Sequence, residues 1–331
     1  MSSIPAFQWD KWYEAIGGRK ISITLVDELL HQIHHEQYPR FEGEVNSQVY
    51  PFASTSEAST LIKNKALALG ADLVGICAID EGDVYEGRVV KEQFAIALGQ
   101  AMEYEHFSLV PTEQSAIECM RIYHSLGEIV IALAQYIREL GYPCRIEHPL
   151  GDSDLLHIPI ALKAGFGELG RHGSIINPEL GPLFRIGSIV TDMPLQVDQP
   201  MQAGIADFCD HCHACEIYCP AGAIPATRST TAGKTPQGNY RFVVDTGRCF
   251  PYFAHHQYCS ACLAVCVYNR KSWALDFNGK AMSYPEVMIH PMPDEVDSVP
   301  EAMKHSYPLL NRGIKPTFDK ANKKYLRIVG R

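Results

Sequence analysis

The chain has 331 residues, 46% of them hydrophobic and 20% charged, and 29 Lys and Arg against 38 Asp and Glu give a formal net charge of -9. That length leaves room for two or three domains, and the composition is that of a soluble globular protein. The acidic balance disfavours a phosphate-rich partner such as nucleic acid, and no apolar run reaches the roughly 18 residues that suggest a membrane span.

The opening MSSIPAFQWDKWYEAIGGRK has neither a basic flank leading into an apolar core nor a twin-arginine pair, so the expected compartment is the cytoplasm. Residues 1–56 are aromatic and polar, with turn formers near Pro39, Gly43 and Pro51, and are expected to form an N-terminal extension with a short amphipathic helix over Val26–Ile33. His34 and His35 are adjacent and cannot share a helix face, so a solvated pair is expected rather than a metal site.

From Ser56 the pattern predicts a helix capped by Ser56 or Ser59, a stop at Gly70, and a buried strand over Asp72–Ile79. Residues 80–112 are mixed, with a second strand expected at Phe107–Val110. Ser115–Leu140 is the longest helical signal: Ile122, Leu126, Ile129, Val130, Leu133, Ile137 and Leu140 recur at spacings of three and four, and Gly141 ends it. Tyr123 lies near the start of the apolar face, where a tyrosine is ordinarily core.

Ile158–Ala164 reads as a short helix, followed by AGFGELGRHG with glycines at 165, 167, 170 and 173. So many glycines imply positive φ angles or close backbone approach to something flat or bulky. GxGxxG is present literally in Gly165–Gly170, but no strand leads into it, so the spacing is a poor dinucleotide signal. Leu183–Val190 reads as a strand, with Arg185 among apolar residues; either a salt bridge or an anionic ligand would account for the charge.

Eight of the eleven cysteines fall between Phe208 and Arg270. Cys209, Cys212, Cys215 and Cys219 are spaced C-x2-C-x2-C-x3-C and followed by Pro220; Cys249, Cys259, Cys262 and Cys266 follow about thirty residues later. In the bacterial ferredoxin run of this form, three cysteines cover one cubane and the fourth ligates the other. Cys209, Cys212, Cys215 and Cys266 are therefore expected on one 4Fe–4S cluster, and Cys219, Cys249, Cys259 and Cys262 on a second. Structural zinc also uses CxxC pairs, but it needs four ligands and a different spacing. Cys77, Cys119 and Cys144 are expected to be core or near-core residues. Thr227–Tyr240 reads as a polar loop, and the last twenty residues, from Arg312, hold seven Lys or Arg against one Asp, a surface strap, docking tail or solvated tail.

Taken together, HIPIALKAGFGELGRHGSIINPELGPLFRIGSIVTDMPL and the eight-cysteine stretch resemble the cobalamin-dependent reductive dehalogenases and their relatives in tRNA modification, the epoxyqueuosine reductases. The resemblance covers roughly residues 57–275. It implies an α/β protein: a nitroreductase-like corrinoid-binding domain over 57–200, fused to a bacterial-type two-cluster ferredoxin domain over 201–275, with a C-terminal extension over 276–331. Base-off cobalamin would be held largely by backbone contacts, which places Gly165, Gly167, Gly170, Arg171, Gly173 and Asn177 at the cofactor. Low-potential clusters would feed electrons to it. The family's proton-donating tyrosine and its basic neighbour fall by rough alignment on Tyr123 and Arg185. The epoxyqueuosine reductases instead use an aspartate in the neighbourhood of Asp152 and Asp154.

Val267 stands where a proline usually follows the last cluster cysteine, and neither a twin-arginine leader nor a fused flavin or reductase module is present, so a separate electron donor (ferredoxin, flavodoxin or a reductase) is expected. The resemblance thus implies reductive cleavage of a small organic substrate, a halogenated aromatic foremost. A tRNA-modifying reductase and a non-enzymatic electron carrier are the alternative readings.

Overall fold

The computed structural model describes residues 22–269 apart from 108 and 152, together with the backbone of short strands at 288–289, 317–319 and 324–326. The first 21 residues, Asp152 and nearly all of the C-terminal extension with its basic tail lie outside the described residues.

Helix α1 (Thr24–Gln32) runs into a π-helical turn over Ile33–Gln37 that leaves His34 and His35 exposed. Helix α2 (Thr55–Ala68) starts two residues earlier than the serine pattern suggested. Its N-cap is Ser54, whose side chain accepts from the Glu57 N–H, while the Glu57 carboxylate accepts from the Ala53 N–H. Ser54 holds the cap because its hydroxyl reaches the Glu57 N–H, while Glu57 satisfies the N–H of the residue before Ser54.

After Gly70, strand β1 (Leu73–Ala78) pairs antiparallel with β2 (Phe94–Ala101), a strand that the sequence pattern had left inside a mixed region. A short β3 (Leu109–Val110) follows a 3-10 turn over Tyr104–Phe107. Helix α3 (Glu113–Glu139) is capped by Thr112 and buries Ile122, Leu126, Ile129, Val130, Leu133 and Ile137. Strand β4 (Cys144–Glu147), helix α4 (His157–Lys163) and the hairpin β5 (Glu168–Leu169) and β6 (Ile175–Ile176) lead to β7 (Phe184–Thr191).

The central sheet has the order β1-β2-β7-β4 and is antiparallel throughout, with Ile96 opposite both Ile76 and Ile189. Because side chains alternate across a strand, Ile76, Ile96, Leu98 and Ile189 face α2 and α3, while Cys77, Ala95, Ala97 and Val190 face α4. Both faces are covered, so β2 has no polar face to give it an alternating pattern. Among the described residues no helix is long and apolar enough to cross a membrane.

The cysteine-rich part carries α5 (Ile205–Cys212), α6 (Ala214–Ile217), α7 (Thr246–His255) and α8 (Ala261–Ala264). The segment expected as a polar loop instead forms a hairpin, β8 (Ser229–Lys234) with β9 (Tyr240–Arg241).

Candidate functional site

The glycine block and the first cysteines form one unit. Glu168, on β5, is buried, and its carboxylate accepts from the N–H groups of Ala203, Gly204 and Ala206 at the start of α5, the helix that carries Cys209 and Cys212. An anion at a helix N-terminus satisfies donors that the helix cannot. Three residues on, Arg171 is 1% exposed and its guanidinium donates to the carbonyls of Cys209, Asp210, Pro225 and Ala226. Its Cζ lies 4.2 Å from the Phe242 ring centroid, and Glu216 Oε2 is 3.6 Å from Nη1. The segment Glu168–Arg171 thus grips the first cysteine helix at both ends.

Cys209, Cys212, Cys215 and Cys266 line one cavity together with Arg171 and His172. The other four thiols lie together: burial and then the proximity of Cys259, Cys219, Cys215 and Cys249 push the Cys262 thiol well up. Burial drives the Cys259 thiol to about 12, with Cys219 and Cys249 adding to the shift. Cys259 follows Gln257 and Tyr258, consecutive residues at φ 48° and 55°; such backbone costs of order 1–3 kcal/mol per residue and persists where the surroundings require it. No cysteine among the described residues is in a disulfide. Among them no three side chains of the metal-binding types close on a single-ion site. Two groups of four soft thiols are the donor set that polynuclear iron–sulfur clusters use.

The residues assigned to the corrinoid by resemblance are mostly engaged within the chain. Gly165, Gly167 and Gly173 hold φ of 82°, 151° and 80°. A Cβ on Gly167 would strike the Ile176 carbonyl oxygen, and one on Gly165 would lie 2.8 Å from the Gln199 oxygen. A Cβ on Gly170 would lie 2.6 Å from Ile176 Cδ1. The Asn177 amide donates to the Phe166 carbonyl and accepts from the N–H groups of Glu179 and Leu180. These residues build the β5–β6 hairpin, whose Ser174 and Ile175 wall a second cavity.

That second cavity, about 150 Å3, is also lined by Tyr123, Pro149, His157, Phe184, Arg185 and Leu263. Tyr123 comes from α3, Arg185 from β7, and Leu263 from α8, directly after Cys262. Arg185 Cζ stands 4.8 Å from the Tyr123 ring centroid. Its Nη2 donates to Cys119 Sγ at 2.6 Å, and its Nε is buried with no acceptor. No carboxylate among the described residues pairs with it. Burial disfavours the Arg185 charge, but Cys119 and Tyr123 more than offset this and hold the group above its usual range. His157 is fixed by Ser188 Oγ and the His148 carbonyl, and burial pushes it down to about 4. Asp154 is held by Arg145 at 2.7 Å.

Cys119 and His157 carried no sequence signal. Their roles come from partners 66 and 31 residues away, brought near only by the sheet.

No family model matches the chain. The tetrachloroethene reductive dehalogenase of Desulfitobacterium hafniense is 28% identical over 294 residues, covering 72% of this chain and 53% of that protein. The epoxyqueuosine reductase of Salmonella typhimurium is 32% identical over 169 residues, 46% of this chain and 37% of that protein. Among solved structures, a reductive dehalogenase described for B12-dependent dehalogenation superposes with a TM-score of 0.64 at 26% identity, over 74% of this chain and 37% of that one. A catabolic reductive dehalogenase in complex with 3-bromo-4-hydroxybenzoic acid gives 0.62 at 26% identity, over 74% and 36%. The chain spans about half the length of the curated dehalogenases it matches. It is related to the reductive dehalogenases in sequence and in fold, and the resemblance read from the glycine block and the cysteines is borne out.

Proposed function

We propose that this chain is a cytoplasmic corrinoid- and iron–sulfur-dependent reductase that replaces a halide on a small organic substrate, possessing an aromatic ring in the favoured case, by hydrogen. On this reading a nitroreductase-like domain is fused to a two-cluster ferredoxin module, and a separate donor protein supplies electrons. The observation that carries the reading is the pairing of Tyr123 with Arg185 on the wall of a cavity that also receives Leu263, the neighbour of cluster cysteine Cys262.

The net change is R–X + 2e⁻ + H⁺ → R–H + X⁻. A bound corrinoid supplies the low-potential cleavage chemistry. Cys209, Cys212, Cys215 and Cys266 would hold one cluster and Cys219, Cys249, Cys259 and Cys262 a second, which together would supply low-potential electrons; Leu263, beside Cys262, brings the second set to the cavity edge. Tyr123 gives its phenolic proton to the carbon that loses halide. Arg185, with no carboxylate partner among the described residues, stabilises the charge left on the phenol oxygen. A cavity of about 150 Å3 suits a small ring and not a whole corrin. A corrinoid would be held at the cavity rim by the β5–β6 hairpin, whose Ser174 and Ile175 line the cavity and whose shape Gly165, Gly167, Gly170 and Gly173 set.

The test is anaerobic protein made with hydroxocobalamin supplied. About one cobalt and about eight irons per chain are expected, with turnover of halogenated phenols. Tyr123→Phe should retain both metals and lose about 10²- to 10⁴-fold in turnover, the usual share of a positioned proton donor. Full activity in that variant removes Tyr123 from the mechanism. Eight irons without cobalt would leave an electron carrier, and restoration of queuosine in a deficient strain would favour the tRNA reading.

A further inference from the structure

His172 sits in the turn between β5 and β6, next to Arg171, and is 7% exposed. Its Nδ1 accepts the Ser174 backbone N–H at 3.1 Å. A backbone amide can only donate, so Nδ1 carries no proton and the neutral ring has its hydrogen on Nε2. That Nε2 is buried and meets no acceptor among the described residues. The ring lines the cavity formed by Cys209, Cys212, Cys215 and Cys266. Gly170 leaves room for it: a Cβ there would lie 3.0 Å from His172 Cε1.

A buried donor left unmade is costly, and native proteins satisfy the large majority of such groups. The cavity beside it presents four thiols. A cluster held by them would offer sulfide and thiolate sulfurs, which are acceptors, and would gain negative charge on reduction. We propose that His172 Nε2–H donates a hydrogen bond to the cluster held by Cys209, Cys212, Cys215 and Cys266 and raises its reduction potential. The inference rests on the reading of those thiols as cluster ligands. The physical reason is that a hydrogen bond to sulfur strengthens as the sulfur becomes more negative, so the donor favours the reduced state. Arg171 spends its donors on carbonyls and supplies only a background charge.

The experiment compares wild type, His172→Phe and His172→Gln as full-length protein, reconstituted anaerobically. Iron content is measured first, then each cluster's midpoint by EPR-monitored redox titration, with Cys212→Ser used to tell the clusters apart. In His172→Phe, at the wild-type midpoint, the reduced-to-oxidised ratio of the first cluster should fall about fivefold, the effect of one net hydrogen bond. The second cluster should not move, and His172→Gln, which keeps an N–H, should recover part of the shift. The His213→Gln variant, with His172 intact and labelled with 15N-histidine, should show a histidine nitrogen coupled to the first cluster. That measurement decides the matter even where His172→Phe fails to assemble.

A full iron load with an unchanged midpoint and no histidine coupling overturns the proposal while leaving the clusters standing. An exchangeable proton at the cluster without histidine coupling overturns it in favour of a water. A wild-type chain that binds zinc, or no iron, overturns the ligand reading and this inference together.

Discussion

Arg185 is a partly buried cation whose partners are a thiol and an aromatic face, not a carboxylate. A structural arginine in such a place usually forms an ion pair, because an unpaired charge away from water is expensive. Its cost is reasonable where a negative charge appears during the reaction. Replacing it by an apolar side chain of similar length removes that cost and strands no carboxylate, so Arg185→Met should leave the melting temperature unchanged or raised. The same variant should lose turnover by at least about a hundredfold, as loss of support for a proton donor does. Thermal unfolding alongside a rate assay checks both; a fall in melting temperature would assign Arg185 to stability. That an arginine stood among apolar residues was legible in the sequence. That its acceptor is Cys119 was not, since a cysteine on the apolar face of a helix reads as core, and here it is core as well as partner.

At the scale of elements, the glycine block is the seam between the two halves. Its four glycines were readable as sites of unusual backbone. What approaches the backbone, however, is the Ile176 carbonyl, Gln199 and Val244 of the same chain, and no local pattern specifies that. The roles of Glu168, which the sequence reading did not single out, and of Arg171, which the resemblance placed at the cofactor, were not legible, because their partners lie on α5 and beyond, about 35 to 55 residues downstream. Helix α3 was legible because one of its faces is apolar at helical spacing. Strand β2 was not, because FAIALGQA is covered on both faces and is rich in Ala and Gly, so it shows neither alternation nor β-branched enrichment.

The grip has a specific consequence. Arg171→Met leaves several buried carbonyls without donors and releases the C-terminal end of the first cysteine helix, a loss of about 3–5 kcal/mol when a buried hydrogen-bonded charge is removed. Iron should fall from about eight towards about four per chain, with the first cluster lost preferentially. Glu168→Gln keeps an acceptor at the helix N-terminus and should be milder. Iron analysis with EPR checks this, and retention of both clusters in Arg171→Met would show the grip to be dispensable.

Across the whole molecule, buried imidazoles set the response to acid. His148 is fully buried: its Nε2 donates to Gln37 Oε1 at 2.9 Å and its Nδ1 accepts from the Leu150 N–H. Gln37 in turn donates to Glu128, which pairs with Arg40, so the network ties the N-terminal π-helical turn to α3 and to the loop after β4. Gly127 makes space for it, since a Cβ there would strike both Gln37 and His148. Burial pushes His148 down to about 3, with His157, His124 and His34 adding repulsion, and burial lowers His157 to about 4. In the unfolded chain both titrate near 6.5. Between about pH 6.5 and pH 4 the unfolded state therefore binds more protons, and stability falls as pH falls, by up to about 1.4 kcal/mol per pH unit for each imidazole. Above pH 7 both states are neutral and the effect vanishes. His148→Gln should flatten the acid limb of melting temperature against pH while lowering the plateau near neutrality, because glutamine copies only part of the hydrogen bonding. An acid limb as steep as wild type would place the acid sensitivity elsewhere.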